Sequence, residues 1–127
     1  FTGHGCVNCR EMEADVWSDP RVLKRLRNDY VILALYVDDK YKLPENEWIR
    51  SSYDDKLKKT LGAKNADFQI TKFGVNAQPF YVLMDSKGNV LTQPTAYDLN
   101  VDHFIKFLND GVKNFKDGKT LFNINRK

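Results

Sequence analysis

The only two cysteines of the chain, Cys6 and Cys9, are separated by two residues. At this spacing the two sulfurs meet across one helical turn, so the pair can alternate between a dithiol and a disulfide. Met12 and Val16 follow at helical spacing, which places Cys6 at or just before a helix N-terminus, where backbone N–H groups favour a thiolate. We therefore predict that Cys6 is the exposed attacking thiolate and that Cys9, one turn further in, is a buried resolving thiol.

Two other uses of this spacing are a structural disulfide and half of a zinc site. A structural disulfide here would close a very short loop and contribute roughly 2 kcal/mol, against about 5 kcal/mol for a long loop. A tetrahedral zinc site needs two more ligands, and the only histidines, His4 and His103, are about a hundred residues apart. The residues therefore favour a redox pair that uses no metal and no cofactor.

Length and composition favour one globular domain. The chain has 127 residues, of which 42% are hydrophobic, and it contains neither an apolar run long enough to span a bilayer nor a signal peptide. Because it opens at Phe1, immediately before the cysteine motif, we expect it to be a segment of a longer protein. Its net charge of +3 is spread along the chain, and the lysines of residues 56–59 lie beside Asp54 and Asp55, so no nucleic-acid site is expected.

The first part of the chain predicts alternating helices and strands. Asp19 before Pro20 predicts the start of a helix that runs to about Asn28. The nearly continuous apolar run from Tyr30 to Val37 predicts a strand that is buried on both faces.

Further elements are predicted along the rest of the chain. Leu57 and Leu61 suggest a helix stopped by Gly62, and a short helix is expected from Ala66 to Phe73, ended by Gly74. Beyond these, the pattern predicts a strand over 80–84, a turn over 85–89, a strand over 90–92 and an amphipathic helix over 101–115 with Phe104, Ile105, Leu108, Val112 and Phe115 on its apolar face.

Two motifs in this order resemble the thioredoxin-like superfamily. The first is the cysteine pair at a helix start, and the second is the run from Val75 to Phe80, which contains Gln78 and Pro79 and leads into a strand and hairpin. The resemblance implies an α/β thioredoxin-like fold over residues 1–127, with a central mixed sheet flanked by helices. It also implies an insertion at about 40–65 and a first core strand that is mostly missing before Phe1.

A closer resemblance lies in the run from Cys6 to Glu13, followed by the run from Trp17 to Val22. These residues are similar to the C-terminal domain of the transmembrane thiol–disulfide interchange proteins, the DsbD family, and residues 36–39 and the insertion resemble its Bacteroidetes-type variant. That family implies a periplasmic domain of an inner-membrane protein, with a role in electron transfer and cytochrome c biogenesis. Its implied partners are protein thiols and disulfides: a membrane-embedded cysteine pair and soluble periplasmic thioredoxin-like or disulfide-isomerase proteins.

The resemblance also implies roles for residues around the cysteines. Pro79 matches a cis proline that lies against the active-site disulfide, although an ordinary proline at a strand start is the alternative. Glu13, one turn beyond Cys9, matches an acid that could relay a proton to or from the buried sulfur, or it is simply a solvated surface residue. The predicted site is therefore catalytic Cys6, Cys9 and Glu13, with partner binding at His4, Gly5, Gln78 and Pro79.

Two of these positions depart from the usual thioredoxin pattern. Gly5 stands where that pattern has Trp, which leaves the approach to Cys6 open. His4 either stabilises the Cys6 thiolate when protonated or is solvated.

The expected activity is reduction of protein disulfides by thiol–disulfide exchange. Val7 and Asn8, between the cysteines, carry no cation that would strongly stabilise a thiolate, so the pair is expected toward the reducing end. An oxidase or isomerase of the same fold, and a non-catalytic binding module of a larger assembly, remain the alternatives.

Overall fold

The computed structural model describes residues 1–126. Its helices are α1 (Val7–Met12), α2 (Pro20–Asp29), α3 (Leu61–Phe73) and α4 (Val101–Asp117). Its strands are β1 (Ile49–Arg50), β2 (Leu57–Lys58), β3 (Asn89–Val90) and β4 (Phe122–Asn123). A π-helical turn, Glu13–Trp17, directly follows α1, and a 3-10 turn covers Glu45–Glu47. No helix among these residues is long and apolar enough to cross a membrane.

The chain divides into two compact units. The first contains residues 1–9 and 33–79, and the second contains residues 10–32 and the chain from Phe80 onward. In the first unit, β1 and β2 form an antiparallel pair with Ile49 opposite Lys58. Helix α3 then begins at Thr60, whose hydroxyl accepts from the Ala63 N–H at 3.2 Å, and it ends at Gly74, whose φ of +69° is left-handed.

The second unit holds the main apolar core. Helix α2 is capped by Asp19, which accepts from the Arg21 N–H, and α4 is capped by Asn100, which accepts from the His103 N–H. Strands β3 and β4 pair antiparallel. The buried core residues of this unit are Met12, Val16, Val22, Leu26, Leu83, Leu91, Phe104, Phe107 and Leu108.

The helix predictions for the second unit are confirmed, with one change on α4. The helix extends to Asp117, and Phe115, expected in the core, is 61% exposed. Phe107 is buried instead. At 100° per residue Phe107, Gly111 and Phe115 all lie within about 60° of Phe104. The direction of Phe115 around the helix therefore matches the prediction, and its exposure goes with its place in the last turn of α4, beyond the buried residues.

The prediction of a strand from Tyr30 to Val37, buried on both faces, is wrong. Val31 and Leu33 are 97% and 77% exposed, and only Tyr36 forms a β-bridge, parallel to Thr2. The bridge is made by the Thr2 N–H to the Leu35 carbonyl and by the Val37 N–H to the Thr2 carbonyl, both at 2.9 Å. An apolar run becomes a buried strand only where neighbouring strands pair with it, and among residues 1–126 only Thr2 does so.

The sheet differs from the expected one in the same way. The predicted 80–84 strand is represented by two isolated bridges, Tyr81 to Thr95 and Met84 to Val90. Within the described residues the central mixed sheet is therefore reduced to two antiparallel pairs and isolated bridges. The mixed α/β architecture is as predicted, and with its four α-helices it is consistent with a thioredoxin-like fold.

The helix prediction around Gly62 is also corrected. Leu57 lies in β2, and Gly62 is the second residue of α3 rather than a stop. A Cβ on Gly62 would lie 2.6 Å from the backbone N and O of Asp39 and 2.7 Å from the carbonyl oxygen of Val37. Glycine is therefore needed here for close backbone packing, and sequence alone could not distinguish that use from a helix end.

Candidate redox site

Cys6 and Cys9 are joined by a disulfide, with their Cα atoms 5.2 Å apart. Cys9 is 2% exposed, whereas Cys6 is partly exposed. The backbone N–H of Cys9 donates to Cys6 Sγ at 3.2 Å. This difference in burial agrees with the sequence-based expectation, while the assignment of Cys6 as the attacking sulfur stays a prediction. In the reduced protein the same N–H would stabilise negative charge on Cys6.

The residues just before Cys6 form a turn, which we call the cysteine loop (Gly3–Cys6). Its ends are linked by the Cys6 N–H, which donates to the Gly3 carbonyl at 3.3 Å. The His4 ring stacks on Tyr36, with centroids 4.1 Å apart and planes at 15°. A Cβ on Gly5 would meet no atom within 4 Å, so the space beside Gly5 is open.

Asp38 holds the cysteine loop through its carboxylate. Oδ1 accepts from the His4 N–H at 2.9 Å, and Oδ2 accepts from the Gly5 N–H at 3.1 Å. These two hydrogen bonds, first the one from His4 and then the one from Gly5, lower the pKa of Asp38 below its usual value. The carboxylate therefore remains ionised at neutral pH and fixes the two residues that precede Cys6.

The peptide bond between Gln78 and Pro79 is cis, as the sequence predicted, and Pro79 is buried. The segment Ala77–Pro79, which we call the proline loop, is held by Gln69 of α3. Gln69 Nε2 donates to the Ala77 carbonyl, and Gln78 Nε2 donates to Gln69 Oε1, both at 2.9 Å. Gln69 is 0% exposed. Contact between Pro79 and the disulfide, and binding of a partner chain at Gln78, stay predictions.

Glu13 belongs to the second unit and opens the π-helical turn. Its Oε2 lies 3.0 Å from Arg10 Nε, and its side chain is 41% exposed. Its charge also acts on Tyr81, whose pKa is raised above its usual value mainly by burial and further by Glu13. Glu13 is therefore ion-paired in this disulfide form, and its role in proton transfer stays a prediction.

Sequence reasoning did not assign site roles to Asp38 and Gln69. Asp38 directly follows the apolar run, and its partners His4 and Gly5 are more than thirty residues away, so the sequence carries no signal of their contact. Gln69 stands among apolar neighbours on α3 and gave no sequence signal of its burial. Among residues 1–126 no group of three or more His, Cys, Asp or Glu side chains is placed to hold a metal ion.

An α/β protein with a Cys-x-x-Cys disulfide at a helix start and a buried cis proline has the features of a thiol–disulfide exchange protein. The family model for the thioredoxin-like domain matches residues 1–111. The chain therefore belongs to the thioredoxin-like domain family. No curated protein matches it.

Proposed function

We propose that this protein reduces protein disulfides through the Cys6–Cys9 pair. The observation that carries the proposal is the environment of Cys6. Cys6 is partly exposed and its sulfur accepts a hydrogen bond from the Cys9 N–H, whereas Cys9 is buried. Val7, next to Cys6, is 76% exposed and provides an apolar contact for a partner chain. An accessible sulfur with a donor that favours its thiolate is suited to attack a partner disulfide.

The proposed reaction is a two-step exchange. The Cys6 thiolate attacks one sulfur of the partner disulfide, forming a mixed disulfide and releasing the other partner sulfur as a thiolate that takes up a proton. Cys9 then loses its proton and attacks Cys6 Sγ, which releases the second partner sulfur and forms the Cys6–Cys9 bond. Two electrons pass from the protein to the partner, and no cofactor takes part.

The proposed direction and setting are supported by the sequence. Val7 and Asn8 supply no cation to stabilise the dithiol form. Residues 6–22 resemble the C-terminal domain of the DsbD family. On this basis a membrane-embedded cysteine pair supplies electrons to the Cys6–Cys9 disulfide, and the reduced domain passes them to periplasmic thioredoxin-like or disulfide-isomerase proteins.

Two measurements test this function. Equilibration with glutathione, followed by quantification of the Cys6–Cys9 disulfide, should give a potential near that of thioredoxin, about −270 mV. A potential near about −120 mV, typical of a strong oxidant, would overturn the reductase proposal in favour of an oxidase.

The second measurement separates the two cysteines. Incubated with a disulfide-bonded protein substrate, Cys9→Ser should accumulate a mixed disulfide through Cys6, because no resolving thiol remains. Cys6→Ser should form none, and the variant with both substitutions is the matched control. A mixed disulfide through Cys9 in the Cys6→Ser variant, formed as fast as the one in Cys9→Ser, would contradict the assigned roles.

A further inference from the structure

The cysteine loop is fixed from the segment 36–38 by side-chain and backbone contacts together. The carboxylate of Asp38 accepts from two successive N–H groups, those of His4 and Gly5. The bridge between Thr2 and Tyr36 joins the same two segments, one and two residues away in sequence from Gly3 and Asp38. Backbone pairing therefore holds Thr2, directly before the loop, and one carboxylate holds its two middle residues, His4 and Gly5.

The approach of Asp38 to the loop is close and depends on Gly3. A Cβ on Gly3 would lie 3.3 Å from Asp38 Oδ2, which is tighter than ordinary contact. The segment that carries Asp38 is itself supported by the Asn65 side chain, which donates to the Tyr36 carbonyl at 3.0 Å. The backbone that carries Asp38 is therefore held in place while its carboxylate contacts the cysteine loop.

The conformation of the cysteine loop determines the position of Cys6 Sγ. Gly5 is covalently bonded to Cys6, and the Cys6 N–H closes the turn on the Gly3 carbonyl. The orientation of Gly5 therefore sets where Cys6 Sγ lies relative to the Cys9 N–H, which is 3.2 Å away. A hydrogen bond weakens steeply when its angle departs from linearity, so a small rotation of the loop would weaken the stabilisation of a Cys6 thiolate.

We propose that Asp38 is a positioning residue for Cys6, which holds the cysteine loop so that Cys6 Sγ faces the Cys9 N–H in the reduced protein. The inference rests on the proposed function of Cys6 as the attacking sulfur. Asp38 acts through the loop and does not take part in the exchange itself.

The test compares Asp38→Asn with Asp39→Asn in the reduced full chain. Asn matches Asp in size but has one acceptor oxygen, and its NH2 group cannot accept from a backbone N–H. Asp39 is a matched control, because its Oδ1 accepts from the Tyr41 N–H rather than from the cysteine loop. The rate of Cys6 alkylation is measured across pH, with the labelled residue located by mass spectrometry, and its midpoint gives the pKa of the thiol.

The expected result is a higher midpoint for Asp38→Asn, by about one pH unit, which is a roughly tenfold loss of thiolate below the midpoint. Loss of the negative charge alone would lower the midpoint, because a nearby carboxylate disfavours a thiolate. The direction of the shift therefore separates positioning from a direct charge effect. Asp39→Asn should leave the midpoint unchanged.

An unchanged or lowered midpoint for Asp38→Asn would overturn the proposal, even with a lower melting temperature, since a purely structural residue would give that result. If Asp38→Asn does not fold, Gly3→Ala displaces the same carboxylate while retaining its charge, and the midpoint must rise there as well. Alkylation needs no partner disulfide. If the protein does not reduce disulfides but the alkylation midpoint of Asp38→Asn is raised, the positioning role of Asp38 stands. If the protein reduces disulfides but that midpoint is unchanged or lowered, only the positioning role is refuted.

Discussion

The cysteine loop and the proline loop of the first unit are each held by one side chain, and the two side chains differ in charge and burial. Asp38 is an exposed carboxylate that accepts from the His4 and Gly5 N–H groups. Gln69 is a neutral amide, fully buried, that donates to the Ala77 carbonyl and accepts from the Gln78 side chain. Both arrangements satisfy polar groups of a loop that carries a predicted site residue.

The difference has consequences for how each loop responds to change. Water can replace an exposed carboxylate as a hydrogen-bond partner. Loss of Asp38 should therefore loosen the cysteine loop but lower the free energy of unfolding only slightly. Water cannot reach the buried Gln69 amide in the same way. Removal of Gln69 therefore leaves the Ala77 carbonyl and the Gln78 side-chain amide without a hydrogen-bond partner. We therefore expect the cysteine loop to be adjustable and the proline loop to be rigid.

The largest effect on stability is expected for Gly62→Ala. The new Cβ would meet backbone atoms of Asp39 and Val37 at 2.6 to 2.7 Å, and these atoms cannot move independently of the segment that carries Asp38. The substitution should lower the free energy of unfolding by about 2–3 kcal/mol, which is typical of overpacking. Urea denaturation measures the loss.

The same variant probes the two loops. NMR should show larger shifts for the His4 and Gly5 amides than for the Ala77 and Gln78 amides, because Gly62 packs against the neighbours of Asp38. Equal shifts in both loops would mean that α3 moves as one body and would contradict the expected difference between an adjustable cysteine loop and a rigid proline loop.

A slightly smaller loss is expected for Gln69→Leu. Leu fits the space but cannot pair with the Ala77 carbonyl or the Gln78 amide, so the free energy of unfolding should fall by about 2 kcal/mol. The exposed Gln93 provides the control, and Gln93→Leu should change stability by no more than about 0.5 kcal/mol. If the two variants are equally stable, the buried amide is not an anchor of the proline loop.

Acid should release the cysteine loop while leaving the proline loop in place. The pKa of Asp38 is lower in the folded protein than its usual value of 3.8, because its carboxylate accepts from the His4 and Gly5 N–H groups, so these hydrogen bonds stabilise the fold above that pH. This contribution is lost as the pH falls from about 4 through the folded pKa. The NMR signals of the His4 and Gly5 amides should titrate in this range, whereas those of Ala77 and Gln78 should stay constant because Gln69 does not ionise.

The smallest effect on stability is expected at Glu13, which belongs to neither loop. Its ion pair with Arg10 is solvent-exposed on both sides, so Glu13→Gln should change stability by less than about 0.5 kcal/mol. If Glu13 relays a proton for Cys9, the same variant should slow release of the partner from the mixed disulfide by about tenfold or more. Stopped-flow measurement of that step with Asp15→Asn as the control tests the role, and equal rates would rule it out.

The chemistry of the cysteine pair and the start of α2 could be predicted because both depend on residues close in sequence. Cys6 and Cys9 are three residues apart, and the Asp19 cap acts on Arg21. The strand from Tyr30 to Val37 could not be predicted in the same way. Its apolar composition was evident, but its burial depends on strands that pair with it, and only Thr2 does so within residues 1–126.

The redox motif and the periodic helices could be read from the sequence because they arise from short-range spacing, and the cis bond at Pro79 was implied by the resemblance to the thioredoxin-like superfamily. That Asp38 holds the cysteine loop and that Gln69 holds the proline loop is evident only in the folded chain. A carboxylate after an apolar run and a glutamine in a helix have many uses. Which of them applies depends on the N–H and carbonyl groups that distant parts of the chain place within hydrogen-bond distance.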